Sequence, residues 1–249
     1  ITTTAIPVDV PYTQNFEGAG FPNGFLVQTY GANNTWVIGS ATAKLEEGEE
    51  DGHSIYLTLY GVSNNYTKIS GANSWAILTV NFGDAVAYKL SFDYRVNGEA
   101  NYDYLSVYAA PSSVQMPTVT IEPSLPDSFI EIVEKKSKTL TWTHEEVILN
   151  GLSNSTYNII FHWRNDGSSG SDPAVAIDNI SIDGMSCVGA YNLTASDVST
   201  NGATINWSQS GSVSSWKVKY KKAEDDTWME ETVSESNITL TDLTINTQY

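Results

Sequence analysis

Tyr157-Asn158-Ile159-Ile160-Phe161-His162-Trp163 is the stretch that decides the class of fold. It is short, rich in β-branched and aromatic side chains, and free of Gly and Pro, which suits a pleated strand. Ile159, Phe161 and Trp163 fall two residues apart, so they share one face, and that face reads as core. Working outward, the same texture recurs in Leu57-Thr58-Leu59-Tyr60, Ala76-Ile77-Leu78-Thr79-Val80, Tyr88-Lys89-Leu90-Ser91-Phe92-Asp93-Tyr94, Leu105-Ser106-Val107-Tyr108 and Ala176-Ile177-Asp178-Asn179-Ile180-Ser181-Ile182. Polar turns separate the runs, as at Gly71-Ala72-Asn73-Ser74 and Asp166-Gly167-Ser168-Ser169-Gly170-Ser171. Many short strands with polar turns imply an all-β sandwich or barrel. Residues 128–136 are the one window open to a helix, although Ile130, Ile132 and Val133 suit a strand as well.

The chain has 249 residues, enough for one or two domains with a proper core. Hydrophobic residues make up 41%, a globular composition. No run approaches the ~18 apolar residues of a membrane helix. No signal peptide opens the sequence, and Ile1 reads as the start of a mature piece. The formal charge is −17, from 29 acidic and 12 basic residues, which excludes nucleic acid as a natural partner because phosphate binding needs clustered Lys and Arg. Glu46, Glu47, Glu49, Glu50 and Asp51 form an acidic run that reads as a solvated loop, with a cation site as the lesser alternative.

Catalytic signatures are missing. The histidines are His53, His144 and His162. His144-Glu145-Glu146-Val147 begins like a zinc-protease helix but lacks the second His. There is no Gly-x-Ser-x-Gly elbow and no phosphate-cradling Gly-rich loop. The single cysteine, Cys187, has no partner for a disulfide within the chain and no base beside it in Met185-Ser186-Cys187-Val188-Gly189. Paired carboxylates for glycoside hydrolysis could still meet through folding. The expectation is a protein that is not an enzyme.

From Tyr191 the chain resembles a fibronectin type III domain. Asn192-Leu193-Thr194-Ala195 matches its first strand, Thr204-Ile205-Asn206-Trp207 the second with its buried Trp, and Trp216-Lys217-Val218-Lys219-Tyr220 the third. Leu243-Thr244-Ile245-Asn246-Thr247-Gln248-Tyr249 resembles the corner motif, with Ile245 where the family usually has Pro and Tyr249 as the corner tyrosine. The resemblance implies an immunoglobulin-like sandwich over 187–249 that lacks its last two strands, with a core around Trp207, Tyr220, Leu243 and Tyr249.

Ahead of it, five further motifs come in order: Pro11-Tyr12-Thr13-Gln14-Asn15-Phe16-Glu17-Gly18, Phe21-Pro22-Asn23-Gly24-Phe25, Tyr102-Asp103-Tyr104-Leu105-Ser106-Val107-Tyr108, Trp142 to Leu149, and Ala174 to Ile182. This succession resembles MAM-like jelly rolls of bacterial surface proteins, including the cleaved-adhesin domains of gingipain-type proteins. It covers about residues 8–185 and implies a jelly-roll β-sandwich over 1–186. Two departures stand out: the cysteines of eukaryotic MAM domains are absent, and Gly31-Ala32-Asn33-Asn34-Thr35-Trp36 replaces the Asp-Gly-Asp stretch common in the gingipain-type domains.

The resemblance places the first and last strands together, so Glu17 and Asp178 become candidate oxygen ligands for a structural calcium. The plainer alternative is a turn cap and local backbone bonding. Asp103 and Asp51 are weaker candidates and read as solvated. Tyr102, Tyr104, Trp75 and Trp163 could contact a ligand, although Trp163 reads as core and Tyr102 and Tyr104 read as sharing one strand face. The resemblance also implies that Cys187 pairs with a cysteine beyond Tyr249; the alternative is a small buried hydrophobe. The expected function is a secreted or cell-surface adhesion module for a glycan or an extracellular protein, with further domains on the same polypeptide. An accessory or spacer region of a secreted hydrolase is the rival, and fold alone does not choose.

Overall fold

The structure is a computed structural model and describes residues 5–18, 20–40, 52–119, 123–186, 189–209 and 213–249. The acidic run from Glu46 to Asp51 and Cys187 lie outside the described residues. Strands and no helices are described, and the protein is all-β. The chain divides into two compact units, Ile1–Met185 and Ser186–Tyr249.

Unit 1 is a sandwich of two six-stranded sheets. The first holds β1 (Val8–Asp9), β3 (Phe25–Gly31), β6 (Ala72–Phe82), β8 (Tyr104–Pro111), β9 (Ile130–Lys136) and β11 (Ser155–Asn165). The second holds β2 (Tyr12–Gln14), β4 (Thr35–Gly39), β5 (Ser54–Thr58), β7 (Ala87–Val96), β10 (Thr139–Asn150) and β12 (Ala176–Met185). β11 lies between β6 and β8, antiparallel to both. β1 and β3 pair in tandem with the other edge of β6, and β2 and β5 do the same on β12. Residues 128–136, the window open to a helix, contain strand β9, where Val133 packs into the core and the backbone pairs with β8.

Alternation sorts the side chains. Ile159, Phe161 and Trp163 enter the core between the sheets. Ile160 and His162 point the other way and are nonetheless buried. The connection from β8 to β9 accounts for this. Val114, Met116, Leu125 and Phe129 pack on Trp75, Ile77, Tyr108 and Ile160, forming a second apolar layer outside the first sheet. A strand covered on both faces has no need of polar alternation, which is why β11 reads as an almost continuous apolar run.

Unit 2 has a three-stranded sheet of β13 (Tyr191–Ser196), β14 (Ala203–Ser208) and β17 (Asn237–Leu240), and a two-stranded sheet of β15 (Trp216–Tyr220) and β16 (Met229–Val233). Trp207, Ile238 and Leu240 are its buried residues, with Trp216, Tyr220 and Leu243 half-buried against them. Trp207 and Trp216 meet edge to face at 5.7 Å. Tyr249, expected in that core, is instead 37% exposed. Its hydroxyl accepts a hydrogen bond from Thr244 N at 3.0 Å, the contact a tyrosine corner makes.

Candidate functional site

Asp103 organises one end of unit 1. Expected to be solvated, it is 1% exposed. Its carboxylate accepts from Tyr66 Oη at 2.5 Å and from the backbone N–H groups of Glu99 and Asp166, each at 3.2 Å. Ser171 N donates to Tyr66 Oη at 3.1 Å. Three connections, β5–β6, β7–β8 and β11–β12, are thereby held to one buried carboxylate. Burial raises the Asp103 pKa even though these bonds favour the anion. The Tyr66 hydroxyl is pushed up too, by burial and then by Asp103. Gly170 is needed here: its φ is +105°, and a Cβ would strike the Tyr66 hydroxyl.

Amides complete the lock. Asn165 donates to Thr67 O at 3.1 Å and Ser70 O at 2.9 Å, and accepts from Asn34 Nδ2 at 2.9 Å. Arg164 donates to Tyr102 O at 2.5 Å, and Lys68 pairs with Asp172 at 2.7 Å. On this framework Tyr60, Val62 and Ile69 stand 77%, 79% and 91% exposed. Tyr60 and Ile69 line a shallow depression of about 560 Å³ with Asn33, Thr67, Lys68 and Ser70.

Of the aromatic candidates, Trp75, Trp163 and Tyr104 are buried. Tyr102 is exposed, but it sits in the turn before β8 and does not share a strand face with Tyr104. Trp75 lies under the β8–β9 connection, stacked on the His162 ring at 3.8 Å. His162 Nε2 meets Asn73 Oδ1 at 2.9 Å, and burial, followed by the charges of Arg164 and Lys135, lowers its pKa to about 3. The other two histidines are taken by carboxylates: His53 Nδ1 by Glu17 at 3.2 Å and His144 Nδ1 by Asp93 at 2.8 Å.

Sequence reasoning missed a groove of about 330 Å³ outside the first sheet. Leu26, Ile77, Val114 and Met116 supply its apolar surface, and Gln28, Thr79, Ser112, Gln115 and Asn158 its polar one. These residues carry no motif. The available signal was Asn158, a polar residue on the outward phase of an otherwise apolar strand.

Glu17 follows β2, whose Gln14 pairs with Ile180 of β12, two residues past Asp178. Glu17 Oε1 accepts from His53 N at 2.7 Å. Asp178 is 2% exposed, accepts from Asn179 N at 2.7 Å, and stands opposite Asp93, which is 5% exposed, across the β12–β7 pair. A bulge interrupts that pair between Asp178 and Ser181, and Asn179, with φ 49°, turns its amide to Asp93 at 3.0 Å. Among the described residues no group of three or more His, Cys, Asp or Glu surrounds one centre. The donors are hard oxygens, the type calcium takes, but the described residues set only Asp93 and Asp178 opposite each other, and Glu17 and Asp93 already hold His53 and His144.

The family model of the fibronectin type III domain matches residues 189–249. No curated protein sequence matches the chain. Among solved structures, the chain is similar to a cleaved adhesin domain of Lys-gingipain from Porphyromonas gingivalis, at 19% identity and TM-score 0.42, over 71% of this chain and 99% of that one. A second cleaved adhesin domain of the same gingipain is 15% identical with TM-score 0.38, over 69% of this chain and 98% of that one. The CBM22-1 xylan-binding domain from Paenibacillus barcinonensis is 9% identical with TM-score 0.43, over 71% and 95%. The class of protein is an all-β sandwich followed by a fibronectin type III domain.

Proposed function

We propose that the chain belongs to an extracellular, non-catalytic binding protein. Unit 1 engages a protein partner through its loop end, and the fibronectin type III unit serves as a spacer or second module. One observation carries this reading: Tyr60, Val62 and Ile69 are exposed on the β5–β6 connection, which hydrogen bonds at Tyr66 and Ser70 tie to the buried Asp103 and Asn165. Large apolar side chains on pre-ordered loops lose little freedom on binding, and Tyr is a common interface anchor. Val and Ile offer neither a flat ring nor a hydrogen bond, so they suit an apolar protein pocket better than a sugar. Residues 1–185 carry 21 acidic and 8 basic side chains, a net −13. The partner is therefore expected to rim its pocket with Lys and Arg, which also speeds encounter.

The test is to pass extracellular-matrix and serum proteins over the immobilised 249-residue chain. A double Tyr60→Ala, Ile69→Ala variant should weaken any specific interaction by about tenfold or more. Binding indifferent to both substitutions overturns the assignment of the surface. Hydrolysis of a peptide or glycoside by the pure chain overturns the non-catalytic reading.

The same reading includes a structural calcium at Glu17 and Asp178. Its support is the pairing of β2, which Glu17 follows, with β12, which carries the buried Asp178. Calcium should raise the melting temperature, and Glu17→Ala should abolish that response. An unchanged melting temperature in saturating calcium rejects the site.

A further inference from the structure

We infer that the groove outside the first sheet is a second binding site, independent of the loop end, and that it takes an uncharged sugar bearing an acetamido group. Among the described residues no ionisable side chain lines it, although residues 1–185 are strongly acidic. A charged ligand would lose its hydration there and find no opposite charge in exchange.

The polar groups are placed for a neutral ligand with donors and acceptors. Asn158 on β11 is 5% exposed and stands directly opposite Thr79 on β6. Its Oδ1 accepts from Thr79 Oγ1 at 2.9 Å, which fixes the amide and leaves Nδ2 without a partner among the described residues. A buried amide donor held in one orientation and facing a groove calls for a carbonyl or hydroxyl oxygen. Gln28 on β3 and Gln115 in the β8–β9 connection line the same groove with no side-chain partner of their own among the described residues. Ser112, where that connection begins, is tied to the sheet by its N–H, which donates to Thr156 O at 3.2 Å.

The apolar surface selects among neutral sugars. Among the described residues no aromatic ring lines the groove, so none of them offers a pyranose a face to stack on. Leu26 and Ile77, paired across β3 and β6, together with Val114 and the flexible Met116, form a surface suited to a methyl group. An acetamido group supplies that methyl beside a carbonyl for the Asn158 amide. At about 330 Å³ the groove is at the small end of ligand sites, the size of a single sugar residue.

The experiment is an NMR titration of the 249-residue chain with N-acetylglucosamine, glucose and glucuronate in parallel. N-acetylglucosamine should shift the side-chain amide signals of Asn158, Gln115 and Gln28. Glucose and glucuronate should each bind at least about threefold more weakly, and Asn158→Ala or Gln115→Ala should weaken N-acetylglucosamine by about threefold to tenfold, the loss of one hydrogen bond. If Asn158→Ala fails to fold, Gln115→Ala and Gln28→Ala, which replace half-buried or exposed residues, decide the matter. The double Tyr60→Ala, Ile69→Ala variant should bind the sugar normally, so the two sites fail separately. No amide shift at about 50 mM sugar, in the weak range of such contacts, overturns the proposal. So does equal binding of glucuronate, or binding that ignores Gln115 and Gln28.

Discussion

Trp163 in unit 1 and Trp216 in unit 2 both stand on strands with alternating side chains, yet they end in different surroundings. Trp163 is 0% exposed between two six-stranded sheets, with its ring edge-to-face against Tyr66 at 5.0 Å. Trp216 is only half-buried between a three-stranded and a two-stranded sheet. Alternation decides which way a side chain points; the breadth of the facing sheet decides how far it is buried. The breadth also bears on function. Unit 1 has enough core to hold a buried polar network, and that network ties down the connection that carries the exposed Tyr60, Val62 and Ile69. Unit 2 buries Trp207, Ile238 and Leu240, and leaves Trp228 56% exposed with Lys221 5.2 Å over its ring.

The sharpest way to break this comparison is truncation. Trp163→Ala should cost about 3–5 kcal/mol in denaturant unfolding, and Trp216→Ala clearly less, because a half-buried ring leaves a smaller cavity. Equal losses would mean that the two cores are equally deep.

Acid comes next. The folded His162 pKa is about 3, against an ordinary value of 6.5. Between those values the unfolded chain takes up a proton that the folded chain refuses. Unit 1 should therefore lose stability as pH falls from about 6.5 toward 3, by up to about 1.4 kcal/mol per pH unit. Asp103 opposes this, since its raised pKa lets the folded state accept a proton first. His162→Gln should flatten the profile and Asp103→Asn should steepen it, while unit 2, which has no histidine, should lack the feature. Urea titrations at several pH values measure all three.

Tyr66→Phe leaves the buried Asp103 without its closest donor and should cost about 1–3 kcal/mol. It should also loosen the loop end, seen as faster amide exchange at Asp166 and Ser171. The smallest effect belongs to unit 2. Glu230 bridges Lys217 and Lys219 on an exposed face, and Glu230→Gln should leave the melting temperature within error.

The fold was legible where burial follows local pattern. Ile159, Phe161 and Trp163 announced an inward face, and the order of Trp207, Trp216 and Tyr220 announced the fibronectin type III texture. Legibility failed where segments distant in sequence converge. Asp103 reads as a surface charge until the Tyr66 hydroxyl and two backbone N–H groups from separate loops surround it. Trp75 and Tyr104 read as candidate contact residues, yet both are buried on the outer face of the first sheet, Trp75 beneath the β8–β9 connection. The groove was invisible because its neutral residues come from separate parts of the chain.

The most direct test of the central claim compares two surface variants of the 249-residue chain against any extracellular protein it captures. One removes Tyr60 and Ile69 from the loop end; the other, Trp228→Ala, removes the most exposed ring of unit 2. Surface plasmon resonance at fixed salt gives both affinities, while circular dichroism confirms that each variant is folded. The account predicts about tenfold or greater loss for the first and no change for the second. Loss of binding with Trp228→Ala, and none with the loop-end variant, would contradict it.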